Sequence, residues 1–451
     1  MPRPLSKRPP LAALIFSVLG LLSVAGPGLA AGLDQGFGQG GVVDTPLSKG
    51  ERENVQDSGQ GPLIDALATA PGRKLVAALG SGGEIPYFGA VRFRTDGVLD
   101  RGFGEAGFAP LEASFPGVSA EAETEALAMR PGGGIVMAGF RRNRSGRRAP
   151  LLVALRPNGS PDRSFDADGL LASHPRSSGA EVLHGVAVAR SGRVLAVGGR
   201  NERGGGSPAG FVVAYRPNGA IDTSFGAGGR VAFPAARDND YTALRSIEVL
   251  PRGKLLVAGY LRNRLFLARL HGDGRLDRSF GGGDGKVSIG LGLRGCCPAD
   301  AAFTVLADRG IVAFASLPAG GTKLVRLESS GARVRGFGRS GVVNDRNSRR
   351  LVEPGGLAAQ PNGRLVLVGT TVRERRSNGG AKLVFAVLRY LPDGRPDRGF
   401  GRGGIELLPR GYDSIGAAAL EQGGRVLAGG GLRSKVEGGF EHSLLLARLT
   451  G

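Results

Sequence analysis

LDRGFGEAGFA (residues 99–109), PDRSFDADGLL (161–171) and IDTSFGAGGRV (221–231) are variants of one motif. The same motif stands at 33–43 (LDQGFGQGGVV), 276–287 (LDRSFGGGDGKV), 333–343 (RVRGFGRSGVV) and 396–406 (PDRGFGRGGIE). Its phenylalanines are Phe37, Phe103, Phe165, Phe225, Phe280, Phe337 and Phe400, spaced by 55 to 66 residues. Three further segments recur in fixed order between them. The first is small and Ala-rich, as in ALATAPG and GVAVARSG; the second follows a glycine turn, as in KLLVAGY and RVLAVGG; the third reads FVVAYR or LFLARL. Short runs rich in Val, Leu and Ala and bounded by Gly, Pro, Asn or Asp are strand signals. Each period therefore predicts four antiparallel strands, and seven periods predict an all-β fold, a seven-bladed β-propeller.

Ring closure separates a propeller from an open solenoid. The last period ends at LLLARLTG (444–451) without its phenylalanine strand, while the first phenylalanine strand has no unit before it. Joining them completes a seventh blade and removes two exposed sheet edges, whereas a solenoid would carry distinct caps. Connections between motif and Ala-rich segment are long, and those within a unit mostly compact. The Ala-rich strand is therefore expected nearest the axis, where crowding favours small side chains.

Composition agrees with this reading. Gly contributes 80 of 451 residues against only 27 Pro, and 41% of residues are hydrophobic, which fits neither collagen nor disorder. Arg3, Lys7 and Arg8 precede the apolar run Leu11–Ala25, and small residues follow, so residues 1–31 read as a secretory signal segment. At 15 residues that run is too short to span a bilayer. Residues 32–451 are then one exported propeller, periplasmic or extracellular, not membrane-spanning and expected to be a monomer. The formal charge of +20 favours an acidic partner, or is compositional drift.

The pattern LDxSFGxxGxV followed by PxGKLLVAG, FLARL and PDG resembles the bacterial delta-60 repeat, a β-propeller family without assigned function, over nearly all of residues 32–451. The sixth motif departs from it, with Val334-Arg335 where Leu-Asp is usual, and the third has Asp166 in place of glycine. The resemblance implies export and a propeller, and it brings no catalytic residues.

Several motifs have plain structural readings. GxGxxG recurs in repeat register with no helix after it, so its glycines serve a bend or bulge rather than a dinucleotide. Asp34, Asp100, Asp162, Asp222, Asp277 and Asp397 each supply one carboxylate per unit, too few for calcium, and are expected to bond nearby main-chain amides. The motif phenylalanines are expected between blades. Asp166/Asp168 and Asp238/Asp240 lack EF-hand spacing. No metal or cofactor is expected.

Cys296 and Cys297 are adjacent and are the only cysteines; a vicinal disulfide between them is open, and it would be strained. His174, His184, His271 and His442 fall in different units. His184, just before GVAVA, reads as a loop histidine, with a site assembled across blades at the axis as the alternative. The arginines gather on the long-loop face. Arg141, Arg142, Arg144, Arg147 and Arg148 share one second-to-third loop; Arg200 with Arg203, Arg262 with Arg264, and Arg373 with Arg375 and Arg376 share the equivalent loops. Arg346, Arg349 and Arg350 join them from an inter-blade loop. Such forks suit phosphate, sulfate or carboxylate; a solvated basic face is the alternative. The leading expectation is a non-catalytic binding or scaffold propeller whose Arg-rich face takes an anionic envelope polymer or a protein, and not intracellular nucleic acid. A propeller hydrolase or lyase with its site at the central axis is the alternative, and the apolar inner strands speak against it.

Overall fold

The computed structural model describes residues 32–46, 62–81, 88–110, 122–142, 146–172, 180–201, 209–234, 242–261, 264–292, 301–317, 321–345, 351–375, 381–411, 414–420, 424–436 and 439–450. Among these the regular elements are β-strands and single 3-10 turns. Strand β1 is Val42–Pro46. The next unit is β2 (Pro62–Thr69), β3 (Leu75–Ser81), β4 (Gly89–Phe93) and β5 (Phe108–Pro110). It is followed by β6 (Ala122–Met129), β7 (Ile135–Arg142), β8 (Arg148–Leu155) and β9 (Leu170–Ala172). Then come β10 (Ala180–Val188), β11 (Val194–Asn201), β12 (Ala209–Tyr215) and β13 (Arg230–Pro234). A further meander holds β14 (Thr242–Val249), β15 (Leu255–Leu261), β16 (Arg264–Leu270) and β17 (Lys286–Gly290). Strands β18 (Ala301–Val305), β19 (Ile311–Ser316), β20 (Thr322–Leu327) and β21 (Val342–Asp345) precede β22 (Leu351–Ala359), β23 (Leu365–Arg375), β24 (Ala381–Tyr390) and β25 (Ile405–Gly411). The chain ends with β26 (Ser414–Leu420), β27 (Val426–Val436) and β28 (Gly439–Leu449).

These strands make the small antiparallel sheets of an all-β propeller. Five sheets have four strands, and one of the five has the order β1-β28-β27-β26. There β1 pairs with β28 from Val42↔Ala447 to Pro46↔Ser443, and Leu33 bridges Leu449. Seven separate sheets were expected; instead β10 to β17 form one sheet of eight strands. Its two halves meet through the single pair Gly199↔Ala243. The reason is steric: a Cβ on Gly199 would lie 2.9 Å from that of Ala243, so two small residues let the edges touch.

The core is divided among the interfaces. Seven buried apolar clusters occur among the described residues, each shared by successive four-strand units. One joins the ends of the chain, setting Phe37, Leu427, Leu444 and Leu446 against Ile64, Leu75 and Ala77. Main-chain bonds repeat at these seams. The residue after the motif phenylalanine donates to a turn carbonyl of the following unit: Gly38 to Asp96, Gly104 to Asn158, Asp166 to Asn218, Gly226 to Asp273, Gly281 to Ser330 and Gly338 to Asp393. Gly38 has φ 55°, and a Cβ there would stand 2.2 Å from the Val42 carbonyl oxygen. Asp166 takes the same left-handed angle, φ 47°, which Asp tolerates better than most residues.

Each motif aspartate accepts the main-chain N–H two residues on, at 3.1–3.3 Å. Its other oxygen receives cations: Arg92 and Lys74 on Asp100, Arg130 on Asp162, Arg193 on Asp222, Arg269 and Lys254 on Asp277, Arg389 and Arg364 on Asp397, Arg448 and Arg425 on Asp34. In each of these six units an arginine also lies over the buried phenylalanine ring, 4.3–5.7 Å from its centroid. Arg92, Arg130, Arg193, Arg269 and Arg448 then donate to a carbonyl of the next unit, those of Pro157, Pro217, Gly272, Ser329 and Thr95. The sixth motif lacks the aspartate. There Arg326 reaches Asp308, in the turn after the inner strand, and still bonds Pro392 of the next unit.

Burial would raise the Asp277 pKa, but Lys254, Ser279 and Arg269 hold the carboxyl far below its ordinary range. A depressed folded-state pKa adds stability that is complete above the unfolded value, about 3.9, and is lost as pH falls through the folded value. Asp277→Asn should therefore cost about 3 kcal/mol at neutral pH, and the gap between wild type and variant should narrow progressively as the pH falls below about 3.9 and close only below the folded-state value. Urea unfolding across that range checks this, and a gap independent of pH would contradict it.

Candidate functional site at the axis of the ring

Both faces of a blade pack on neighbours, so only the free edge of the innermost strand meets the axis, and a side chain turns toward it most readily at a bulge. Six inner strands carry such an extra residue at one register. It is Asp65 in β2, Glu125 in β6, His184 in β10, Arg245 in β14, Gly355 in β22 and Gly416 in β26. Strand β18 pairs with β19 without a bulge. The glycine ending the second-strand pattern makes the room. A Cβ on Gly139, Gly198 or Gly259 would stand 1.9–2.1 Å from the carbonyl oxygen of Glu123, Val182 or Ala243.

Four successive units thus bring Asp65, Glu125, His184 and Arg245 to one level. His184 Nδ1 lies 3.2 Å from Glu125 Oε2 and 3.1 Å from an Arg245 Nη. Arg245 also stands 3.6 Å from Glu125 and donates twice to the Tyr260 hydroxyl, at 3.0 and 3.2 Å. The His184 side chain is 7% exposed and that of Glu125 26%. Burial and Arg245 lower the His184 pKa against the pull of Glu125, so the imidazole is neutral at neutral pH. Burial pushes Glu125 upward, yet His184 and Arg245 hold its carboxyl below the ordinary value. Asp65 goes the other way: burial, then Glu125 and Glu123, raise it well above the usual carboxylate range. Its carboxyl folds back over β3, where a Cβ on Gly80 would meet Oδ2 at 1.7 Å. Glu123 is raised by burial, opposed by Arg148 and Arg142.

One level therefore holds a carboxyl whose pKa is raised, a carboxylate whose pKa is lowered and an imidazole whose pKa is lowered. A neutral imidazole accepts at one nitrogen and donates at the other. With Nδ1 bare, His184 accepts from Arg245; with Nδ1 protonated, it donates to Glu125. That is proton-transfer equipment. Among the described residues no group of three or more His, Cys, Asp or Glu is placed to hold a metal ion.

His184 is thus not a loop histidine but a buried strand residue. Asp65, Glu123, Glu125, Arg245 and Tyr260 escaped the sequence reading, because the inner strands begin several residues before the Ala-rich segments. The repeated second-strand glycine was the signal of the bulge. Arg141 and Arg142 lie in β7, Arg148 in β8, Arg200 in β11 and Arg264 in β16, so these are strand residues rather than a loop array. Arg148 covers the Phe140 ring at 4.3 Å, and Arg264 bonds Ser288 twice. Arg147 is exposed. Arg373 and Arg375 fall in β23, their side chains outside the described set. Arg144, Arg203, Arg262, Arg346, Arg349, Arg350, Arg376, Cys296, Cys297, His174, Asp238 and Asp240 lie outside the described residues, as does the His442 side chain. His271 belongs to an open recess of about 450 Å³ with Arg275, Arg278 and Asp273, away from the bulges. Arg275 there is paired with Asp273.

Fold and axis define a β-propeller. Residues 190–225, 251–280 and 360–400 match a family model described as "Domain of unknown function (DUF5122) beta-propeller". Each match ends on or beside a motif phenylalanine. No curated protein matches the chain. Similar solved structures include a streptogramin B lyase, 12% identical over 90% of this chain and 96% of that one, TM-score 0.47. A catalytically inactive virginiamycin B lyase from Staphylococcus aureus is 11% identical over 89% and 98%, TM-score 0.43. Prolyl oligopeptidase B from Galerina marginata is 10% identical over 87% and 52%, TM-score 0.40. Likeness at this level says nothing of chemistry. No helix among the described residues is long and apolar enough to cross a membrane.

The opposed charges around His184 give a signed expectation. Its imidazole should titrate below 6.5 in the wild type, lower still in Glu125→Gln and higher in Arg245→Ala. Imidazole ¹⁵N shifts followed against pH check the order; a wild-type midpoint above 6.5 would sink it.

Proposed function

We propose that the protein is an exported propeller of seven blades, of the delta-60 kind, acting at its axis as an acid–base enzyme of the hydrolase or lyase class. The contact of Glu125, His184 and Arg245 across three successive units carries this reading. Buried titratable groups displaced in opposite directions and converging from separate elements are what a proton-transfer site requires. His184 is the base, Glu125 orients it and shares its proton, and Arg245 balances charge under the fixed Tyr260 hydroxyl. The Arg-rich long-loop face is the weaker choice, for an anionic polymer: Arg148 and Arg142 act on Glu123, and Arg264 is spent on Ser288.

A panel of ester, glycoside and uronate-elimination substrates tests the enzyme. Turnover should fall about a hundredfold or more in His184→Ala and stay unchanged in Arg264→Ala. Activity that survives His184→Ala, or no turnover on any member, counts against it. The count of seven is supported by seven apolar seams and by the β1–β28 pairing. Removing residues 33–46 should abolish the single cooperative melting transition, and an unchanged melt would contradict closure.

A further inference from the structure

In an antiparallel blade the turn between the first and second strands and the turn between the third and fourth lie at one end. Lys254, in the turn after β14, reaches Asp277 of the phenylalanine motif at 2.6 Å, which puts the motif at that end too. Two places before the motif phenylalanine five units carry arginine: Arg101, Arg163, Arg278, Arg335 and Arg398, all exposed. Among the described residues none of these five guanidinium groups makes a hydrogen bond, an ion pair or a ring contact. A second set stands nearer the axis, in the turns after the inner strands: Arg73, Arg190, Arg252 and Arg309, likewise exposed and unpaired. Three of these hold left-handed backbone angles, φ 59° at Arg73, 63° at Arg252 and 65° at Arg309. The position of Arg73 and Arg309 is glycine in other units, at Gly133, Gly192, Gly253 and Gly363, because a side chain there is strained. Arginine is thus carried where glycine would serve the turn better. Of the acids in these turns, Asp96, Asp273, Asp308 and Asp393 are taken up by Arg94, Arg275, Arg326 and Arg395. Glu105, Asp166, Asp168, Asp284 and Glu328 are exposed there as well, and they are fewer than the arginines of the two sets. The long-loop end differs: Arg148 covers Phe140, Arg230 pairs with Glu181 and Arg264 bonds Ser288.

Independently of the axial reading, we infer that this turn face is a docking surface for an acidic polysaccharide, a linear chain with a carboxylate or sulfate on successive sugars. An unpaired guanidinium is a fork ready for an oxyanion. Its recurrence once per unit lets a polymer of repeated charge engage several forks together, where a single small anion engages one. Nucleic acid is the poorer fit. Single strands are held by stacking on aromatic rings, and the large hydrophobics exposed among the described residues are Val98, Ile221 and Leu407, none of them aromatic. Those three are also too few to insert into a lipid surface. Beside Arg278 lies the open recess of about 450 Å³, bordered also by His271 and Leu276. It offers a sugar ring a hollow in the line of the guanidinium groups.

The probes are polygalacturonate and heparin, which carry carboxylates and sulfates, with dextran as the neutral polymer. The charged polymers should bind the whole protein and dextran should not. Affinity should fall about tenfold or more between about 50 and about 200 mM salt. Phenylglyoxal labelling of the wild type, read residue by residue, should show the polymer protecting Arg101, Arg163, Arg278, Arg335 and Arg398 and leaving Arg147 reactive; this reading needs no variant to fold. Arg101→Gln, Arg163→Gln, Arg278→Gln, Arg335→Gln and Arg398→Gln in one chain should weaken binding about tenfold or more and flatten its salt dependence, with an unchanged melt. Arg147→Gln with Arg264→Gln should leave binding as it is. His184→Ala should also bind as the wild type does, so the axial enzyme and this face can fail separately. Binding of one charged polymer alone, with these signatures, upholds the face and assigns its anion as carboxylate or sulfate. Binding of neither overturns the inference. So do equal binding by the fivefold variant, protection centred on Arg147, and preference for a single-stranded oligonucleotide or anionic lipid vesicles over both polysaccharides.

Discussion

The fold depends on an arginine held between an aspartate and a phenylalanine. In six units the motif carboxylate is fixed by a main-chain N–H, takes a guanidinium, and the same guanidinium covers the buried ring below. Neither half would be worth much alone: exposed ion pairs contribute little, and a cation over an aromatic ring adds about 0.5–1 kcal/mol in the open. Here the Asp277 carboxyl is 4% and the Arg269 side chain 11% exposed, so loss of either partner would strand a desolvated charge. In five of the six a further guanidinium N–H reaches a carbonyl of the next unit, which makes a local clamp an inter-blade tie. Where the motif lost its aspartate, Arg326 kept its place and took Asp308 from another turn. A guanidinium is thus the constant group. It is drawn from the third strand in Arg92, Arg269, Arg326, Arg389 and Arg448 and from the turn after the inner strand in Arg130 and Arg193, and the source of the carboxylate is free as well.

This explains much of the basic composition. Arg92, Arg130, Arg193, Arg269, Arg326, Arg389 and Arg448 hold the ring together, and each has a carboxylate within reach. A surplus of arginine in such a chain says less about its partner than the count implies. The sign of a binding site has to be read from charges left over after the clamps are satisfied.

Strand order, the packing of Phe37 and its equivalents, and the turn role of the aspartates could all be read in the sequence, because each repeats and local turn chemistry fixes it. The axial residues could not be read in this way. Asp65, Glu125, His184 and Arg245 share a register but no residue type, so no motif marks them. Alternation breaks at the bulge, and the inner strand shows itself only from the Ala-rich stretch onward. The eight-strand sheet was hidden for a related reason: it rests on one glycine facing one alanine, a contact with no signature in either repeat.

The same bulge that hides the site makes it available for change. Elsewhere on the inner strands side chains are confined between blades, where Ala68, Ala128, Ala187 and Ala358 answer one another at one register. A larger residue there must compete with close packing. The bulge residue is off the ladder and bears on the axis instead, so it can be Asp, Glu, His, Arg or Gly while the blade behind it is unaltered. The clamp fixes the ring, and the ring fixes the level of the bulges. That one level is left free to differ from unit to unit, and chemistry in a repeat protein of this kind is to be sought where the repeat permits difference.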